Sequence, residues 1–137
     1  MASHISWVLQ KAIVERLQND EDLIEKINKR VYDVTPPNPI FPYVVLGQDT
    51  IKAWNSKTSL GHDISFIIHI FTRDKSRMEM KDIIVKIIDA LKLNPLYLEA
   101  NLLIYLMPEL VQSFVELDQM TCHGIIRLHA LTAQKPG

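Results

Sequence analysis

Residues Pro42–Arg73 read PYVVLGQDTIKAWNSKTSLGHDISFIIHIFTR, two strongly apolar runs joined by a polar stretch that holds one tryptophan, Trp54. The first run, Tyr43-Val44-Val45-Leu46, follows Pro42 and predicts a strand reaching about Asp49, because β-branched and aromatic side chains suit a pleated, half-buried surface. The second, from about His62 to Arg73, is almost unbroken in Ile64, Phe66, Ile67, Ile68, Ile70 and Phe71, and so little alternation predicts burial on both faces. Two such strands in succession predict a hairpin whose connection, Thr50–Gly61, is long for its kind.

Helical periodicity flanks this hairpin. Ile5, Leu9, Ile13 and Leu17 fall on one line with Val8 and Ala12 beside them, opposite Gln10, Lys11, Glu15 and Gln18, which predicts an amphipathic helix capped by Ser3 or Ser6. A second short helix is expected between Asp20 and Lys29, with Asp20 as its cap and Leu23, Ile24 and Ile27 facing inward. Arg30–Val34 then reads as a short strand, stopped by TPPNP, whose prolines cannot donate to a ladder. Beyond the hairpin, Met80, Ile83, Ile84, Ile87, Ile88 and Leu91 form the stripe of a helix over Ser76–Leu91 that Asn94-Pro95 ends. Two strands follow, from Asn101 through Met107 toward Val115, and from Met120 to Thr132. In the last, Met120, Cys122, Ile126, Leu128 and Ala130 share one parity and Thr121, His123, Arg127 and His129 the other. Strands in adjacent pairs and two main helices predict an α+β fold, a largely antiparallel sheet with both helices on one face. Residues 1–133 are expected to form a single domain and residues 134–137 a flexible tail.

Composition narrows the function. The chain of 137 residues carries 15 Lys plus Arg against 16 Asp plus Glu, a net charge of -1, which is no electrostatic footprint for nucleic acid. One cysteine, Cys122, permits no internal disulfide and suits a reducing compartment. With no basic leader and no apolar run approaching the ~18 residues of a membrane span, the expectation is a soluble chain made in the cytoplasm.

Few residues suggest chemistry. Cys122 beside His123 resembles a nucleophile and its base, but neighbours on a strand point to opposite faces, so Cys122 is expected to be a small buried apolar residue. His69, His123 and His129 share odd parity and could converge on one face, the single metal constellation that can be assembled, yet the spacings of known metal motifs are missing. No GxSxG, Walker A or GxGxxG occurs, and Arg73–Arg77, RDKSR, reads as a solvated turn. These observations predict neither catalytic residues nor a cofactor nor a bound metal. The candidate site is instead a protein-contact loop: Trp54, Asn55, Ser56, Lys57, Thr58, Ser59, Leu60 and Gly61. Trp54 either folds back over its own sheet or anchors a contact with another protein.

The ordered set PYVVLGQDT, W-N-S-K-T, a strand ending IHIFTR, R-x-E-x-K-x-I (Arg77, Glu79, Lys81, Ile83) and HGIIRLHALT at 123–132 resembles the tail-completion, or head-to-tail joining, family of long-tailed phages, prophages and gene transfer agents. It covers nearly all the chain in the right order. This chain departs from it in bulky Ile on helix positions where small residues are frequent, and in an unusually apolar Leu96–Met107. The resemblance implies a small non-enzymatic α+β subunit of the virion. It would form a ring of six copies at the head-proximal end of the tail, stop the tail tube and offer a surface to the head connector. Its partners would be copies of itself, the tail-tube protein and the connector, with DNA passing through unbound and no membrane involved. The alternative is a small-ligand or metal-binding α+β domain that uses the histidines.

Overall fold

The computed structural model describes residues 4–55, 60–74 and 76–135. Helix α1, Ile5–Gln18, buries Ile5, Val8, Leu9, Ile13 and Leu17, the predicted stripe. Its cap is neither predicted serine. His4 holds that place, with Nδ1 accepting from the Ser6 N–H at 3.1 Å, while the Ser6 hydroxyl donates to the Asp49 carboxylate. Ser3 lies outside the described residues. Helix α2, Glu21–Ile27, begins as expected at Asp20, whose carboxylate accepts from the Leu23 N–H at 3.0 Å and satisfies a donor that the helix leaves free.

The strands are β1 (Val31–Tyr32), β2 (Tyr43–Ala53), β3 (Gly61–Thr72), β4 (Asn101–Val115) and β5 (Cys122–Gln134), with α3 (Met78–Lys92) between β3 and β4. They form one sheet in the order β1-β2-β3-β5-β4. Only the β1–β2 pair is parallel. The α+β class and the largely antiparallel sheet are therefore as predicted.

Two features of the central hairpin differ from the reading of its sequence. Strand β2 does not stop near Asp49: after a bulge between Leu46 and Asp49 it continues, with Lys52 opposite Asp63 and Ala53 opposite His62. The connection shrinks to Trp54–Leu60. Polar Gln48, Thr50 and Lys52 belong to a strand because one face of the sheet carries no helix, so hydrophilic side chains there cost nothing in burial. Nor is β3 buried on both faces. Ile64, Phe66, Ile68, Ile70 and Thr72 are buried beneath the helices, while Ile67, His69 and Phe71 are half-covered by one another and by neighbouring strands.

On the covered face α3 buries Met80, Ile83, Ile84, Ile87, Ala90 and Leu91. Together with the inward residues of α1, α2, β3 and β5 these make one core, in which Ile13, Leu17, Ile64, Ile68, Ile87 and Ile126 are sealed from solvent. Arg16 joins the two long helices, its Nη1 donating to the carbonyls of Ala90 and Asn94 at 2.8 Å each. A cation at the C-terminus of α3 also meets the negative end of that helix's dipole. The core thus lies wholly between helices and sheet, and the opposite sheet face stays open.

Candidate protein interface and the open sheet face

The β2–β3 connection closes tightly at its base. The Trp54 N–H donates to the Gly61 carbonyl at 2.9 Å, and the Gln134 N–H donates to the Leu60 carbonyl at 2.7 Å, so β5 holds the far side of the loop. Gly61 permits this closure. A Cβ there would lie 2.4 Å from the Thr132 carbonyl oxygen and 2.7 Å from the Trp54 ring, closer than any side chain tolerates. Trp54 therefore leans on its own hairpin at Gly61, yet it remains 41% exposed, and Leu60 is 57% exposed beside it. Of the predicted contact loop, Trp54, Asn55, Leu60 and Gly61 come together here, whereas Ser56, Lys57, Thr58 and Ser59 lie outside the described residues. The ring thus touches the Gly61 backbone of its own hairpin and also offers an apolar surface.

The three histidines do share the open face, but they divide into two groups. His69 Nδ1 lies 2.8 Å from His123 Nε2, and His123 Nδ1 lies 2.8 Å from Glu116 Oε1. Phe71 and Phe114 stack on or tilt against the His123 ring. Further along the sheet, His129 bonds Asp63 through Nε2, while Tyr105 Oη and Glu109 approach its Nδ1 at 3.2 Å and 3.4 Å. Among the described residues no group of three or more His, Cys, Asp or Glu is placed to hold a metal ion. His69 Nδ1 and both ring nitrogens of His123 and His129 already have partners within the sheet. Burial, followed by the charge of His123, holds His69 below the usual imidazole range.

Cys122 is buried on the helix side and His123 lies on the open side, so the parity argument against a nucleophile–base pair holds. Arg73 is more tightly engaged than a solvated turn suggests: its Nε donates to Thr121 Oγ1 at 3.1 Å, Nη2 lies 3.8 Å from Asp118, and the guanidinium sits 4.3 Å from the Phe41 ring centre. Sequence reading missed Glu116, Asp118 and Thr121 because they gain meaning only when the β4–β5 turn meets the end of β3.

Comparison with known proteins adds the decisive observation: residues 11–133 match the family of tail completion protein gp17. The chain belongs to this family. Tail completion protein gp17 of Bacillus phage SPP1 is 32% identical over 123 residues, covering 90% of each chain. The solved structure of bacteriophage SPP1 gp17 superposes with a TM-score of 0.62 at 28% identity, over 94% of this chain and 95% of that one. A chain from the virion of a native gene transfer agent particle shares the fold at a TM-score of 0.86 and 23% identity, covering 96% of this chain and 99% of that one. The tail-completion resemblance read from residues 42–132 is therefore correct. No helix among the described residues is long and apolar enough to cross a membrane.

Proposed function

We propose that this chain is a structural virion protein that assembles as a ring of six copies at the head-proximal end of the tail, terminates the tail tube and joins it to the head connector. The observation that carries this reading is the base of the β2–β3 connection, where Trp54 and Leu60 stand exposed on a backbone that Gly61 and β5 hold rigid. An exposed aromatic on a rigid loop base suits an anchor for another protein. Membership in the gp17 family supplies the setting, and the near-neutral charge of -1 suits a passage through which DNA slides without many phosphate contacts. A ring subunit needs two different patches that meet on neighbouring copies, and it needs no catalytic group.

Electron microscopy of particles from a strain lacking the chain tests the reading. Separate heads and tails, or tails of abnormal length, are expected. Complementation by a chain in which residues 55–60 are replaced by a short Gly/Ser linker should not restore joined particles. Normal particles without the chain would overturn the assignment, and normal particles with the shortened loop would remove the loop from the interface.

A further inference from the structure

Strand β4 has the composition of a central strand and the position of an edge. Its 15 residues, NLLIYLMPELVQSFV, contain no Lys or Arg and one acid, Glu109, and among the described residues its one partner strand is β5, with a single bridge from Asn101 to Leu98 besides. Leu102 (48%), Ile104 (48%), Met107 (47%) and Phe114 (40%) are all exposed. Edge strands in soluble proteins are normally short, lysine-bearing or covered, since a long apolar edge is a template for another strand.

The opposite edge of the same sheet is open over a matching length. Strand β1 pairs with Val44 and Val45 of β2, and among the described residues no strand pairs with the outer side of Asp49–Ala53. Successive registers show that the two free edges stand at the same height. Met107 is level with His129, Ser65 and Thr50, and Leu103 with Thr132, His62 and Ala53. Pro108, which has no N–H to offer, is level with Asp49, where the bulge of β2 begins. Three antiparallel steps separate β4 from β2, so a second copy set beside the first without sliding along the strands brings β4 antiparallel to the neighbour's β2.

We infer that β4 of one copy pairs with the outer edge of β2 in the next, over Leu103–Met107 and Thr50–Ala53, and continues the sheet from subunit to subunit. The inference rests on the ring reading and supplies its two patches. Glu109 and Lys52 lie on the same open face, so the single charge of β4 arrives on the side where the neighbour's β2 carries its cation. Above Pro108, Phe114 and Val115 rise past the ladder toward the edge where the neighbour exposes Val34 and Ile40, on the segment between β1 and β2. A contact without displacement along the strands lets the assembly close instead of climbing into a filament.

The test uses the full chain with Cys122→Ala, Thr50→Cys and Met107→Cys, produced in cells that make particles. Paired strands place cysteines at this register within disulfide reach, roughly 4.4–6.8 Å between Cα atoms. Oxidised particles should yield a thiol-sensitive ladder of covalent oligomers ending at the ring, and chains with either cysteine alone should not. Joined particles containing the chain but no ladder would overturn edge pairing and leave the ring reading intact. Linkage of Met107→Cys to a different protein would overturn it as well, in favour of a tail-tube or connector strand at this edge. Absence of the chain from particles would sink the ring reading together with the inference. A second variant needs no disulfide: Leu102→Lys with Met107→Lys should lower particle completion at least about tenfold while the chain's circular dichroism stays unchanged, the loss expected for an interface anchor. Completion at normal yield would contradict the proposal.

Discussion

His69 of β3 and His123 of β5 meet diagonally across the ladder, with Nδ1 and Nε2 2.8 Å apart, and Glu116 sets the direction of the bond between them. A carboxylate 2.8 Å from His123 Nδ1 keeps the proton there, so Nε2 is the acceptor and His69 donates from Nδ1. The aromatic surround of Phe71 and Phe114 limits water around the pair. A second proton on His69 would enter a half-buried site beside another imidazole, and this is why its affinity for protons is low.

A pH dependence follows. His69 in the folded chain titrates below the ordinary 6.5, so between that value and its folded pKa the unfolded chain binds more protons. Stability is full above about pH 6.5 and declines as pH falls through this window. Thermal unfolding at about pH 7.5 and about pH 5.5 should show a drop in the native chain that is smaller in His69→Gln. An unchanged drop would assign the dependence to another group.

A separate acid limb belongs to Asp118. The N–H groups of Thr121 and Met120, the Thr121 hydroxyl and the nearby Arg73 hold its carboxyl at about 2, below the usual 3.8. Its contribution is present above about pH 3.8 and is lost as pH falls toward 2. Asp118→Asn should flatten the stability profile in that range, read by chemical denaturation at a series of pH values, and leave the limb near pH 6 unchanged.

Gly61→Ala should destabilise the chain by about 1–3 kcal/mol, the usual cost of overpacking. The added methyl meets the Thr132 carbonyl at 2.4 Å and the Trp54 ring at 2.7 Å. In a Trp54→Ala background the ring contact is gone and the contacts with the carbonyls of Thr132 and of residue 54 remain, so urea unfolding of the double variant should show less than the sum of the two single losses. Strict additivity would mean that the ring does not rest on Gly61.

Trp54→Ala divides stability from assembly. Because the ring is 41% exposed, the isolated chain should lose about 1–2 kcal/mol, less than the ~3–5 of a sealed aromatic. Particle completion should fall by at least about thirtyfold if the ring anchors a neighbour. A stability loss above about 3 kcal/mol with normal completion at low temperature would place Trp54 in its own core instead.

Ile68→Ala removes a sealed side chain at the middle of β3, between strands on both sides and helices above. A loss of about 2–5 kcal/mol is expected in equilibrium unfolding, the range for large-to-small changes in a packed core. A loss below about 1 kcal/mol would mean that the core collapses freely around the gap.

Much of the architecture was legible in the residues. The stripes of α1 and α3, the Asp20 cap, the opposed faces of Cys122 and His123 and the set of motifs that resembles the tail-completion family all depend on short-range periodicity or local order. Such patterns are written along the chain because a helix or strand repeats its facing every few residues. Which element lies beside which was settled by long-range packing and not by any local pattern. Placing β5 between β3 and β4 joined His69 to His123 but left His129 with Asp63, and placing β4 last made an apolar strand an edge. The polar second half of β2 and the half-covered odd face of β3 escaped sequence reading for the same reason: side-chain pattern reports how much each face is buried, whereas ladder partners are chosen by contacts between residues far apart in the chain.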